Sequence, residues 1–166
     1  KQSLTAKIIV NEYSKVEIER ILREYGEEKS AKQIAQKIVE ERETKKIEST
    51  LELVQIIKQA IHSRHSYSKI HYATRTFQAL RIAVNDELNN LTKILPDIIS
   101  ILSSGGRIVI ISFHSLEDRI VKFFFKDKEK EGSIKILTKK PLTAESNELK
   151  VNPRSRSAKL RAFKKL

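Results

Sequence analysis

The chain has 166 residues, 39% of them hydrophobic, enough for a real core in one moderate domain or two small ones. Thirty-three Lys and Arg against 21 Asp and Glu leave a net charge of +12, which favours a polyanionic partner, nucleic acid first among them. With no cysteine, disulfides and thiolate metal sites are excluded and a cytoplasmic location is expected, and no stretch reaches the roughly 20 apolar residues of a membrane span.

The charge is uneven. Residues 1 to 71 carry 14 basic and 11 acidic side chains, net +3, whereas residues 72 to 166 carry 19 and 10, net +9. The polyanion is therefore expected on the second half, and most strongly on Lys150 to Leu166, which holds seven cations and no carboxylate. Methionine is absent and Lys1 stands first, so the chain reads as a fragment.

From Leu4 to Ile70 the periodicity predicts consecutive short helices. Ser14 with Glu17 forms a capping box that opens a helix with Val16, Ile18, Ile21 and Leu22 inward and Gly26 past its end. Ala31, Ile34, Ala35, Ile38 and Val39 mark a second helix, and its charged end, Glu40 to Lys46, is expected in solvent. Thr50 is placed to cap a third, with Leu51, Val54, Ile57 and Ile61 in one stripe. No catalytic constellation occurs here, so residues 1 to 71 read as a helical subdomain that packs or docks.

Between Ile61 and Tyr72 the apolar stripe stops, and His62, Arg64, His65, Tyr67, Lys69 and His71 form a basic, aromatic-laced connection. It reads equally as a linker or as a segment that stacks on RNA bases and meets phosphates. His62 and His65 have no carboxylate beside them in sequence, and no metal site is expected.

A long helix is predicted from Thr74 to about Leu95, with Phe77, Leu80, Val84, Leu88, Leu91 and Leu95 on its apolar stripe. Arg81 and Asn85 fall on the border of that stripe and are expected to be partly buried. A buried guanidinium needs a partner, either a carboxylate such as Glu87 or Asp118 or an incoming phosphate, and the internal pair is the favoured reading. Pro96 predicts a break or kink before Ile98 to Leu102.

Gly105 and Gly106 then lead into Ile108, Val109, Ile110 and Ile111, an unbroken β-branched run typical of a strand covered on both faces, usually in a mostly parallel sheet. After Phe113 the period changes to helical, with Ser115 placed as cap, Asp118 three residues on, and Ile120, Val121, Phe124 and Phe125 inward. In open α/β sheets ligands sit beyond the carboxyl ends of strands, which puts Ser112, His114 and Ser115 where functional groups are presented. Ser133 to Thr138 reads as a second strand, Lys139 to Asn152 as a loop, and Ala158 to Phe163 as a last strand able to pair antiparallel with the second. Arg154 and Arg156 could clamp phosphate or pair with Glu145 or Glu148.

Three stretches, HYATRTFQALRIAVNDEL from His71 to Leu88, SFHSLEDRIVK from Ser112 to Lys122 and NPRSRSAKLRA from Asn152 to Ala162, together resemble the bacterial RsmH/MraW family of small-subunit ribosomal RNA cytosine methyltransferases. The resemblance extends more loosely over the first seventy residues; Tyr72 departs from the proline that is usual there. It implies an S-adenosylmethionine-dependent enzyme that methylates the exocyclic amine (N4) of a cytosine in ribosomal RNA of the small subunit. The implied fold is α/β: the C-terminal part of a Rossmann-like (class I) methyltransferase sheet in residues 72 to 166, its last strand inserted antiparallel, with an all-helical subdomain in residues 1 to 71.

Within that resemblance Ser112 and His114 are the candidate catalytic residues, and Arg75, Arg81, Arg154 and Arg156 the candidates for RNA. Asn85, Ser115, Asp118 and Arg119 are expected to support the site, Asp118 and Arg119 as a scaffold pair. A structural hydrogen bond is the competing reading for His114. The family's glycine-rich cofactor loop is absent: the glycines are Gly26, Gly105, Gly106 and Gly132, and none makes a Gly-x-Gly turn after a strand. The chain alone is therefore expected to bind S-adenosylmethionine weakly or not at all, to be inactive, and to self-associate or be complemented through an open sheet edge. A non-catalytic RNA-binding module is the alternative.

Overall fold

The computed structural model describes residues 4–61 and 71–166. The basic connection expected to meet RNA therefore lies outside the described residues, except for His71. The chain divides into two compact units, residues 1–87 and 88–166. This division falls later than the boundary expected near residue 71, because Ala73, Ala79 and Leu80 are buried in the core of the helices that precede them.

The first unit contains α1 (Ala6–Glu12), α2 (Lys15–Gly26), α3 (Ala31–Thr44), α4 (Thr50–Ala60) and α5 (Thr74–Asn85). Ile9, Ile18, Leu22, Ile34, Ile38 and Ile57 fill its core. Helix α2 opens with the expected capping box, in which the Ser14 hydroxyl accepts from the Glu17 N–H and the Glu17 carboxylate accepts from the Ser14 N–H. The box that opens α4 is built by Ser49 and Glu52, one residue earlier than the expected Thr50 cap. Val16 and Leu51, both expected inward, are exposed, because each sits in the first turn off the buried stripe.

Gly26 does not lie past the end of α2; it is its last residue, and Glu27 takes the left-handed conformation with φ 47°. The glycine serves packing instead. A Cβ at position 26 would lie 2.7 Å from the Arg75 carbonyl oxygen and 3.2 Å from the Ala79 Cβ, so α2 and α5 cross where only hydrogen fits.

The single long helix expected from Thr74 to Leu95 is two helices. Asp86 takes a left-handed conformation, φ 51°, which ends α5, and α6 (Glu87–Ile101) starts directly after it. The expected break at Pro96 does not occur, and α6 runs through it. On α5 the buried face is Thr76, Ala79, Leu80 and Ile82, and Arg81 and Asn85 are exposed rather than partly buried.

The second unit places β1 (Arg107–Ser112), α7 (Ser115–Lys130), β2 (Ile134–Ile136), α8 (Ser146–Val151), a 3-10 turn (Pro153–Ser157) and β3 (Lys159–Lys165) after α6. The segment read as a loop thus contains α8. The strands form one sheet in the order β1-β3-β2, with β3 antiparallel to both neighbours. β1 and β2 therefore run parallel to each other, and their carboxyl ends lie at the end of the sheet where β3 begins.

Ile108, Val121, Phe125, Ile134 and Phe163 form the core of this unit with Leu95 of α6. The rings of Phe125 and Phe163 stack with centroids 3.7 Å apart and planes 9° from parallel. Lys165 donates to the carbonyls of Ile99 and Leu102 at 2.9 and 2.6 Å, closing the carboxyl end of α6. The expected cover on both faces of β1 is not found. Ile108 and Ser112 are buried, but Val109 and Ile111 are 58% and 52% exposed, because the described helices supply a layer on one face only. Leu142 and Leu160 are bridge partners, and Leu160 and Ala162 pair with Ile111 and Val109, so an apolar strip runs over the bare face.

Candidate functional site

The carboxyl end of β1 brings Ser112, Phe113 and His114 to the start of α7. Ser112 is 3% exposed and faces Lys159 of β3 in the antiparallel register. By strand alternation the Phe113 side chain joins the bare face, and its ring is exposed.

His114, not Ser115, is the N-cap of α7. Its Nδ1 accepts from the Glu117 N–H at 3.3 Å, and Glu117 Oε2 accepts from the backbone N–H groups of His114 at 3.3 Å and Phe113 at 2.8 Å. Its Nε2 lies 3.4 Å from Glu117 Oε1, and the imidazole is 7% exposed. Acceptance at Nδ1 places the proton of the neutral ring on Nε2. As placed, the imidazole caps the first turn of α7. Ser115 is the first helical residue, half-buried behind this cap.

Asp118 does pair, with Arg161 rather than with Arg119. Its Oδ1 accepts from Arg161 Nε at 2.7 Å and its Oδ2 from Arg161 Nη2 at 3.2 Å, with Lys159 Nζ 3.5 Å from Oδ2. Asp118 and Arg161 are 11% and 7% exposed in their side chains, so this is a buried bidentate pair. Burial pushes the Asp118 carboxyl up, but the Arg161 hydrogen bonds and charge, with Lys159, outweigh it and hold the group below the usual carboxylate range. Arg119 is exposed on the next position of α7.

Sequence reasoning missed Arg161 and Lys159. It took them as the polar side of β3 opposite Leu160, whereas Arg161 is 6% exposed and shares the inner face with Phe163. The signal was the period of two that links Arg161 to Phe163.

In the first unit, Arg81 makes the expected internal pair. Nε and Nη2 donate to Glu87 Oε1 and Oε2 at 2.8 and 3.0 Å, and Asn85 donates to the same Oε1 at 3.2 Å. Arg75 is exposed, with Nη1 donating to the Glu27 carbonyl at 3.3 Å. In the second unit, Arg154 and Arg156 are exposed on the 3-10 turn and form no ion pair among the described residues, so the alternative pairing with Glu145 or Glu148 is not made.

The sequence profile of the MraW methylase family matches residues 1–166 from end to end. The chain belongs to that family. Among its relatives are proteins named ribosomal RNA small subunit methyltransferase H from Persephonella marina, 48% identical over 165 residues, and from Kosmotoga olearia, 52% identical over 167. A third, with the same name, from Clostridioides difficile, is 49% identical over 173 residues. These alignments cover 99%, 99% and 95% of this chain but only 56%, 54% and 56% of the relatives, so the chain spans about half the length of the curated relatives it matches.

S-adenosylmethionine is the methyl donor that a methylase family implies, and the glycines test whether these residues fit it. Gly26 is used in the α2–α5 crossing, Gly105 and Gly106 precede β1, and Gly132 turns the chain before β2. None follows a strand, so the described residues contain no glycine-rich turn of the kind that takes a donor at a strand end. Among the described residues no helix is long and apolar enough to cross a membrane.

Proposed function

We propose that this MraW-family chain is the target-side portion of an S-adenosylmethionine-dependent methyltransferase that modifies the exocyclic amine of a cytosine in small-subunit ribosomal RNA. The observation that carries the reading is the end-to-end likeness to relatives that bear the small-subunit methyltransferase name. The sheet supports it, because β3 lies between β1 and β2 and antiparallel to both, as expected for the closing strands of a class I methyltransferase.

On this reading the carboxyl end of β1 faces the target base. Methylation of an exocyclic amine needs its nitrogen lone pair aimed at the methyl group and acceptors for its hydrogens. The Ser112 hydroxyl can accept one of them. His114 shapes the same turn, and it acts on the amine only by giving up the cap. Arg75, Arg81, Arg154 and Arg156 are the proposed RNA contacts, of which Arg154 and Arg156 stand ready and Arg81 must first leave Glu87. Because no glycine-rich turn follows a strand among the described residues, the chain alone is proposed to be inactive and to bind the donor weakly or not at all.

Radiolabelled methyl transfer to small ribosomal subunits tests this. The chain is assayed alone and after mixing with the amino-terminal portion of a relative. The mixture is expected to label the amine of one cytosine, and the chain alone to label nothing. RNA binding with no transfer by the mixture would favour the non-catalytic module.

A further inference from the structure

The segment that joins β2 to β3, taken with the first residues of β3, carries a surplus of positive charge. From Leu137 to Leu160 there are six cations, Lys139, Lys140, Lys150, Arg154, Arg156 and Lys159, against two carboxylates, Glu145 and Glu148. Short hydrogen bonds fix its backbone to β3. Leu137 N–H donates to the Ala162 carbonyl at 2.9 Å, and Leu142 and Leu160 exchange bonds of 2.9 and 2.8 Å, so Lys139 and Lys140 are held against the sheet.

The 3-10 turn orients the two arginines. Ser155 is 4% exposed, its hydroxyl donates to the Asn152 carbonyl at 2.7 Å, and its own carbonyl accepts from the Ala158 N–H at 2.9 Å. At three residues per turn, Arg154 and Arg156 each point about 120° away from that anchored side chain and about 120° from each other. They are two prongs on one fixed base.

Lys159 follows them in the chain, as the first residue of β3. Arg161 bonds both oxygens of Asp118 and the Lys159 ammonium lies 3.5 Å from one of them, but the Lys159 side chain is still 38% exposed, with Ser112 opposite in register, so its charge faces solvent as well as Asp118. We propose that Arg154, Arg156 and Lys159 form a rigid phosphodiester fork that seats the RNA backbone beside the Ser112 end of β1. The fork rests on the function proposed above for the identity of its polyanion.

The test is the salt dependence of affinity of this chain for a short labelled single-stranded RNA, read by fluorescence anisotropy. Each phosphate that is no longer neutralised lowers the slope of log affinity against log salt by about 0.7, so R154Q/R156Q/K159Q is expected to lower it by about 2. K122Q/K126Q/K135Q removes the same charge from exposed sites on α7 and β2 and is expected to leave the slope near wild type. Equal slopes in the two triple variants would overturn the fork. R154K/R156K keeps the charge without the guanidinium plane and is expected to weaken affinity severalfold, and unchanged affinity would also overturn it. The binding assay contains no methyl donor, so a negative result here leaves the methyltransferase reading standing, and a failure of methyl transfer leaves these slopes unaffected.

Discussion

Asp118 and Arg161 make the strongest residue-level commitment in the second unit. Removing the charge on one side of a buried bidentate pair strands the other, which typically costs about 3–5 kcal/mol. Asp118→Asn is therefore expected to lower the urea midpoint markedly, while Lys126→Ala, at an exposed position of the same helix, changes it little. The pair also sets a pH dependence. Because the folded pKa of Asp118 is depressed, its contribution to stability is fully present above the ordinary carboxylate value of about 4 and is lost as the pH falls through the lower folded value. Glu52, held at about 2 by the Lys45 hydrogen bond and the N–H groups of Glu48 and Ser49, acts in the same direction in the first unit. Acid titration of wild type and Asp118→Asn should give a shallower decline in the variant; parallel curves would show that the pair does not act. At His114 the cap and a chemical role separate cleanly. His114→Ala is expected to cost about 1 kcal/mol, whereas Asn, itself a good cap, restores stability. Methyl transfer that survives in the Asn variant assigns the imidazole to the turn alone. The position of Ser112 and His114 between strand and helix was legible at this scale because a strand-to-helix change exposes its own boundary. Arg161 was not, since alternation gives two faces without saying which is inside.

At the scale of elements, helices were easier to read than their ends and faces. The Ser14–Glu17 box was plain in sequence because both partners are local. The break at Asp86 was not, since Asn85-Asp86-Glu87 holds neither Gly nor Pro, while Pro96 carries the stronger breaker signal and sits inside α6. The run Ile108 to Ile111 predicted two covered faces, and its composition fits that, but the cover for Val109 and Ile111 is not supplied by the described residues. In the first unit α2 and α5 approach most closely at Gly26. Gly26→Ala must push the Arg75 carbonyl away and is expected to destabilise that unit by about 1–3 kcal/mol. Calorimetry should then show a lowered transition for it, and an unchanged profile would mean that the crossing relaxes freely.

For the whole molecule, the bare strip of Val109, Ile111, Leu142 and Leu160 and the β1 edge left unpaired among the described residues predict association. Light scattering on the chain alone should show mass rising with concentration, and Ile111→Lys should suppress the rise. Composition made the basic half visible, and three motifs made the family visible, but neither could place the charge on a fixed turn, which depends on the anchoring of Ser155. The account as a whole rests on the carboxyl end of β1 being the target side of a methyl-transfer site. The most direct measurement is methyl incorporation into small subunits by the chain mixed with the amino-terminal portion of a relative, with Ser112→Ala as the paired variant. The account predicts labelling of one cytosine amine by the mixture and a large loss in Ser112→Ala at unchanged RNA affinity. Full labelling by Ser112→Ala, or none by a mixture that binds RNA, would contradict it.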